Sequence, residues 1–367
     1  MGTGKRRRAK PAPGTVAHVA RAAEAFRSGK PVLVKGTGRV ATLFLAAETA
    51  SDVALAKLLP ARRAAHLVLT HARARTLKIR LYTIDVVALP IARGTKAVAL
   101  KAIADPTADL EHPLKGPFEV MRGKLPETLA PAVRLAKLAG LLPAVIAVNA
   151  KSAPKNIVTV TVSDIRGYDE ESAHTLAIVT RARVPLEGAE NAELVAFRPE
   201  DGGPEHYSVI IGAPRHAAPV LTRLHSECFT GDLLASLKCD CGAQLRGAIE
   251  TISKSDGGIL LYLAQEGRGI GLVNKLRAYR LQDQGFDTMQ ANERLGFEAD
   301  ERLYAIAAKM LKLLGYKSVR LLTNNPDKVA ALEAAGIHVA ERVPHSFPDN
   351  PHNRHYLETK ARAGHLL

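Results

Sequence analysis

The sequence has no tryptophan, and Phe and Tyr supply only 4% of its 367 residues, so its cores must be built mainly from aliphatic side chains. It also lacks any run near the ~18 uninterrupted apolar residues that a membrane-spanning helix needs. The opening Met1-Gly-Thr-Gly-Lys-Arg-Arg-Arg has no apolar segment of the secretory kind. No membrane partner is expected, and the cytoplasm is the expected compartment. Cysteine is scarce: there are three, an odd number for a disulfide framework, all between Cys228 and Cys241. Such clustering points to a metal or to catalysis rather than to covalent stapling.

Acidic residues are short in one half only. Residues 1–174 hold 28 Lys+Arg against 13 Asp+Glu, whereas residues 175–367 hold 23 of each, so the whole net charge of +15 is amino-terminal. A solvated basic surface accounts for this, and so does contact with RNA, a membrane surface or an acidic protein. Lys5-Arg-Arg-Arg8, followed by Pro11 and Pro13, reads as a disordered basic tail over residues 1–14.

The length calls for two domains. In the first half a helical period over 16–28 leads to the β-branched run Val32-Leu-Val. Alternation continues through 64–70 and 77–89, a helix over 130–140, a strand over 144–148 and an extended stretch from Val158 to Ser163, with a turn at Gly167 before a polar helix. This is an α/β domain over 15–173. The second, 174–367, opens on a hairpin of strands 194–197 and 207–211. Helix 242–253, strand 258–263, helix 272–284, helix 300–314 and strand 319–323 follow, again α/β.

The sharpest local feature is His225-Ser-Glu-Cys228, ten intervening residues, then Cys239-Asp-Cys241. Thiolates favour Zn²⁺; a structural site is closed by four protein ligands, whereas a catalytic one keeps three and leaves a place for water. Three cysteines fit the open form, and His225 is available to close it. An open zinc activates water at neutral pH for attack on an electron-poor carbon, without choosing the substrate. Gln265-Glu-Gly-Arg-Gly-Ile-Gly271 lies between a predicted strand and a predicted helix, so it is either a phosphate-binding turn or a plain connection. Asp300-Glu-Arg302, at a predicted helix start, is either a base beside a guanidinium or a helix-end charge pair. Thr323-Asn-Asn-Pro-Asp-Lys328 ends a strand with groups suited to base or phosphate recognition.

Taken in order, these segments resemble GTP cyclohydrolase II. The likeness runs from Arg183-Val-Pro-Leu through Arg223-Leu-His-Ser-Glu-Cys-Phe-Thr-Gly-Asp, Ser236-Leu-Lys-Cys-Asp-Cys-Gly-Ala-Gln-Leu, Asn274-Lys-Leu-Arg-Ala-Tyr, Leu281-Gln-Asp-Gln-Gly-Phe-Asp-Thr, Leu295-Gly-Phe-Glu-Ala-Asp-Glu-Arg and Leu321-Leu-Thr-Asn-Asn-Pro to His355-Tyr-Leu-Glu-Thr-Lys. The resemblance implies one Zn²⁺ per subunit on Cys228, Cys239 and Cys241. It implies nucleotide binding by Arg223, Glu227, Gln244, Glu266, Gly267, Arg268, Thr288, Thr323 and Lys328. Asp300 would be the proton acceptor, Arg302 would act at the α-phosphate and Tyr279 would sit beside the attacked purine carbon. The implied reaction converts GTP, with Mg²⁺ on its phosphates, to 2,5-diamino-6-(5-phosphoribosylamino)pyrimidin-4(3H)-one, formate and diphosphate, the first step of riboflavin biosynthesis, in a homodimer.

The first half is similar to 3,4-dihydroxy-2-butanone 4-phosphate synthase in Ala25-Phe-Arg-Ser-Gly-Lys-Pro-Val-Leu-Val, Ala46-Ala-Glu-Thr and Arg134 to Gly140 with Pro143-Ala-Val. That synthase needs an acidic loop after its first strand for Mg²⁺, where this chain has Lys35-Gly-Thr-Gly-Arg-Val. Its Gly-Gly-His-Thr-Glu motif gives way to Pro126-Glu-Thr-Leu-Ala-Pro. A degenerate, inactive domain follows, since Mg²⁺ wants hard oxygen ligands. Two other functions fit the residues: a paralogue acting on a related nucleotide or giving another product, and a zinc-containing nucleic-acid-binding or regulatory protein. The zero net charge of the second half argues against nucleic acid near the metal.

Overall fold

The computed structural model describes residues 14–59, 64–150, 156–348 and 351; the basic tail before Gly14 and the His355 motif lie outside them. The first half runs α1 (Thr15–Arg27), β1 (Val32–Lys35), β2 (Ala41–Ala46), α2 (Asp52–Leu58), β3 (Ala65–Thr70), α3 (His71–Thr76), β4 (Val86–Pro90), α4 (Ala97–Ala104), α5 (Leu129–Leu138), β5 (Ala144–Asn149), β6 (Val158–Thr161) and α6 (Val162–Thr175). The second runs β7 (Ala177–Arg183), β8 (Ala192–Arg198), β9 (His206–Ile211), β10 (Val220–Ser226), α7 (Cys241–Ser253), β11 (Gly258–Leu263), α8 (Leu272–Asp283), α9 (Thr288–Leu295), α10 (Tyr304–Leu313), β12 (Ser318–Leu322), α11 (Pro326–Ala334) and β13 (His338–Val343).

Two sheets result, in the orders β4-β3-β5-β2-β1-β6 and β13-β12-β10-β11-β9-β8-β7. The fold is therefore mixed α/β with one sheet to each half, and the chain passes from one sheet to the other through α6. In the second sheet β10, β11, β12 and β13 are parallel while β7, β8 and β9 form an antiparallel edge. Ligand sites on parallel strands gather at their carboxyl ends, and the chain places Ser226, Leu263 and Leu322 there. Among the described residues no helix is long and apolar enough to cross a membrane.

Three elements differ from the sequence reading. Of the alternating stretch 77–89 only Val86–Pro90 is a strand, because Lys78 turns the chain at φ 58° and Ile84 is exposed. The expected turn at Gly167 lies inside α6, which starts at Val162 behind a capping box of Thr161 and Asp164. The helix expected from 300 starts at Tyr304, since the Asp300 carboxylate accepts the Arg302 N–H at 3.0 Å and bends the backbone into an Asx-type turn.

The halves share a core. Ile270, Ala278, Leu281, Ala291, Leu295 and Phe297, from the segment carrying α8 and α9, are buried in one cluster with Leu45, Leu67, Leu69 and Leu142 of the first half. A fully buried Leu contributes roughly 2 kcal/mol relative to exposure, so this layer holds α8 and α9 firmly on the first sheet. Gly296 marks the closest approach: at φ +88° it ends α9, and a Cβ there would lie 2.7 Å from Thr70 Oγ1 and 2.9 Å from Pro143 Cγ.

Candidate active site

Strand β10 ends at Ser226, and the chain then makes a single π-turn, Phe229–Leu233, directly after Cys228. Cys241 opens α7 with Cys239 two residues before it. The three sulfurs lie within 4.8 Å of one another, and Cys228 Sγ is 3.7 Å from Cys239 Sγ. Zinc–sulfur bonds of ~2.3 Å in a tetrahedron put sulfurs about 3.8 Å apart. The Cys228–Cys239 separation thus matches a zinc site, and Cys241 lies close enough to share the ion.

Backbone closes over the sulfurs at Gly231, whose N–H donates to Cys228 Sγ at 3.3 Å. A Cβ at this position would stand 2.9 Å from both Cys228 Sγ and Cys239 Sγ. Gly231→Ala is accordingly expected to weaken zinc binding about tenfold or more, measured by competition with a chromophoric chelator; unchanged affinity would show that the trio can give way.

His225 does not join the sulfurs. Its Nε2 lies 3.0 Å from both Asp232 oxygens, and Asp232 Oδ2 also accepts the Cys228 N–H at 3.0 Å and the Tyr262 hydroxyl at 2.9 Å. Among the described residues the metal-capable group consists of the three cysteines, so a zinc ion held there would keep a place for water.

Lys275, on α8, donates to Cys228 Sγ at 3.0 Å and to Glu266 Oε1 at 2.7 Å. The Cys228 thiol is held far below the ordinary thiol range by hydrogen bonds from Cys239 and Cys241, helped by the Lys275 ammonium. Sharing those bonds with Cys228 pushes Cys239 up to about 11, and Cys241 also rises. One turn beyond Lys275, Tyr279 faces the same pocket with its hydroxyl 3.5 Å from Thr230 Oγ1, and burial pushes its phenol up to about 12. Arg268 and Thr288 complete the wall of this small cavity of about 90 Å³.

Glu266 separates that cavity from a larger cleft. Its Oε2 accepts the Phe229 N–H at 2.6 Å and its Oε1 the Gly267 N–H at 2.9 Å. Gly267 and Arg268 both have φ +64°, and the turn Glu266–Gly269 is tied down by the Gly269 N–H on the Gln265 carbonyl at 3.2 Å and the Glu301 N–H on the Arg268 carbonyl at 3.0 Å. The cleft beyond, of about 1070 Å³, lies between the halves and is lined by Glu227, Glu266, Asp300 and Arg302 together with Arg134 and Lys137 of α5. Burial raises the Glu227 carboxyl, and Glu266 adds to this. Burial would also raise Asp300, but Arg302 outweighs it and holds that carboxyl below its usual range. The pair is bidentate, with Arg302 Nε 2.8 Å from Asp300 Oδ1 and Nη2 2.5 Å from Oδ2.

Arg223, Gln244, Thr323 and Lys328 line neither cavity. They gather at the carboxyl edge of β10 and β12, where Arg223 Nη1 donates to the Leu322 carbonyl at 2.8 Å and its Nη2 donates to Gln244 Oε1. Lys328 Nζ donates to the Leu224 carbonyl at 2.9 Å, and Thr323 Oγ1 accepts the Asn325 N–H at 3.1 Å. Arg302 lies near enough to disfavour the Arg223 charge, after burial, which together bring it to about 10.

Sequence reasoning overlooked Lys275, Gly231 and Asp232. The spacing of Lys275 and Tyr279, four apart in a predicted helix, was the available signal for a shared face.

The sequence profile of GTP cyclohydrolase II matches residues 177–344. GTP cyclohydrolase-2 of Azospirillum brasilense is 49% identical over 371 residues, covering 95% of this chain and 94% of its own. The chain belongs to the GTP cyclohydrolase II family. GTP cyclohydrolase-2 of Azotobacter vinelandii is 59% identical over 172 residues, 47% of this chain and 83% of that protein. The enzyme of that name from Shigella boydii is 55% identical over 175 residues, 47% and 89% respectively. Family members therefore occur both with and without a half matching residues 1–173. A solved structure titled as RibBX, a two-domain 3,4-dihydroxy-2-butanone 4-phosphate synthase from A. baumannii, aligns over 88% of this chain and 99% of its own at 16% identity and a TM-score of 0.33, a likeness too weak to carry an argument.

Proposed function

We propose that this chain hydrolyses GTP to 2,5-diamino-6-(5-phosphoribosylamino)pyrimidin-4(3H)-one, formate and diphosphate, the first step of riboflavin biosynthesis. The reading rests on one observation above all: three sulfurs close enough to share one metal ion line the same pocket as Tyr279 and Glu266–Arg268. Cys228, Cys239 and Cys241 would hold zinc, which when bound would supply a Lewis acid able to activate water.

The protein's own groups do the remaining work. Tyr279 keeps its proton at neutral pH and so donates a hydrogen bond to the ring under attack. Lys275 neutralises Cys228 and fixes Glu266, which in turn pins the Phe229 N–H and the glycine turn. Arg268 supplies positive charge and Gly267 a close approach for the nucleotide, with Thr288 and Glu227 beside them. Arg302 takes the α-phosphate, and its departure from Asp300 leaves a partly exposed carboxylate free to accept a proton. Arg223, Gln244, Thr323 and Lys328 reach the nucleotide only by giving up their present partners. Mg²⁺ accompanies the triphosphate, the assembly is a homodimer and the compartment is the cytoplasm. The first half, residues 15–173, runs no synthase reaction: the loop after β1, residues 36–40, carries no carboxylate of its own to hold Mg²⁺, and Glu127, which reaches it, accepts from Thr37 Oγ1 at 2.6 Å.

Purified protein given GTP and Mg²⁺ is expected to release formate and diphosphate in equal amounts with the pyrimidine. Chelation should stop formate release, and zinc should restore it. GTP consumption without formate by the zinc-loaded protein, or formate release indifferent to zinc removal, sinks the reading.

A further inference from the structure

The candidate catalytic residues Asp300 and Arg302 sit in a turn with no regular structure, between α9 and α10. What fixes that turn is Glu301, between them. Its N–H donates to the Arg268 carbonyl at 3.0 Å, and its own carbonyl packs where a side chain on Gly269 would stand, 2.8 Å from the Cβ position. Its carboxylate has two donors: the Glu298 N–H at 2.8 Å, within the turn, and Lys137 Nζ at 2.5 Å, from α5 of the first half. Both charged side chains are largely withdrawn from water, at 18% and 21% exposure.

Lys137 is one of three contacts made by the end of α5 and the residues after it. Three residues on, the Gly140 carbonyl accepts from Asn274 Nδ2 at 3.1 Å, and Asn274 is fully buried. The Leu142 N–H donates to Glu48 Oε2 at 2.7 Å, while Glu48 Oε1 accepts from Arg277 Nη2 at 2.8 Å. Asn274 and Arg277 lie on the face of α8 turned away from Lys275 and Tyr279. One short stretch of the first half thus grips both elements that carry the chemistry, the turn with Asp300 and Arg302 and the helix with Lys275 and Tyr279.

We infer that Lys137 is a positioning residue for the cyclohydrolase site, and that the amino-terminal half works as the rigid back wall of that site rather than as a passenger. This rests on the function proposed above. Reacting groups must be held to within a few tenths of an ångström, and a displacement of about 1 Å costs on the order of a hundredfold in rate. The turn's own hydrogen bonds leave the Glu301 carboxylate unneutralised, and Lys137 supplies the missing charge. Relatives little more than half this chain's length lack a comparable half. Here the face of α8 and α9 that they would leave bare is apolar, at Ala278, Leu281, Ala291 and Leu295, and needs its cover.

The test uses the full-length, zinc-loaded chain. Lys137→Met, which keeps the aliphatic stem, is expected to lower kcat for formate release about tenfold, with KM for GTP within threefold of wild type and the zinc content unchanged. Lys137→Arg should restore most of the rate. Glu301→Gln should reproduce the loss, and combining it with Lys137→Met should add little, the signature of one coupled pair. A purely structural contact would instead lower the unfolding midpoint and leave kcat alone. An active wild type with an equally active Lys137→Met variant overturns this inference alone. A wild type that releases no formate sinks the functional reading beneath it, and the inference with it.

Discussion

Cys239→Ser is expected to reduce formate release from GTP by at least a thousandfold, on the order of 4 kcal/mol in barrier, with zinc content falling from about one per chain toward zero. A serine hydroxyl stays protonated at neutral pH and is a poor ligand for a thiophilic ion. The two remaining sulfurs, Cys228 and Cys241, leave half a coordination shell. Diphosphate release should continue at a reduced rate, because Arg268 and Arg302 neutralise phosphate charge without the metal. The split between the two products is the informative readout, since an unfolded variant loses both. Wild-type protein stripped of zinc should show the same split, which separates loss of the ion from any repacking caused by the new side chain. Normal formate release from a zinc-free Cys239→Ser variant would falsify the metal assignment.

The residues behind that prediction were legible because their chemistry is local. Three cysteines spanning fourteen positions, Cys228 to Cys241, need little tertiary information to meet. The same holds for Glu266–Gly269, where the alternating glycines Gly267 and Gly269 announce a backbone that must approach something closely. Helix α9 left a local sign that went unread, the capping box of Asp287 and Gln290. Strand β10 is harder to see. It is parallel to both neighbours and buried almost throughout, with Thr222, Arg223 and His225 pointing inward, so neither alternation nor a clean apolar run marks it.

Contacts between the halves were not legible at all. Glu48 and Arg277 are 229 positions apart, and Lys137 and Glu301 are 164 apart. Each reads in sequence as one more charge on a solvated face. The amino-terminal excess of positive charge could not tell surface cations from those spent on partners across the junction. Lys137 belongs to the second group, and the sequence treats it like Lys57 or Lys101. Nor could pattern alone tell that Ala278 and Leu281 of α8 complete a core whose strands lie more than a hundred residues earlier.

Asp300 carries the other large expected effect, and its sign follows from the ion pair with Arg302. In the free protein Arg302 outweighs burial and keeps Asp300 ionised to unusually low pH. Under the proposed roles, bound GTP draws the guanidinium to its α-phosphate. Asp300 then keeps the burial and loses the compensation, while negative phosphate arrives nearby, and each change raises a carboxyl pKa. The acid limb of kcat/KM, which reports free protein once the ionisation of GTP is divided out, should therefore lie below the usual carboxylate range. The acid limb of kcat, which reports the complex, should lie at higher pH. Both limbs move because the base is weak while paired and strong once released. Asp300→Asn is expected to cost about a hundredfold or more in kcat, in keeping with loss of a general base, and to flatten the acid limb. Arg302→Gln should bring the two acid limbs together by raising that of kcat/KM, since Asp300 then has no guanidinium to lose. Coincident limbs in the wild type, or an acid limb that survives in Asp300→Asn, would mean that the proton goes elsewhere and that Asp300 serves only to orient Arg302.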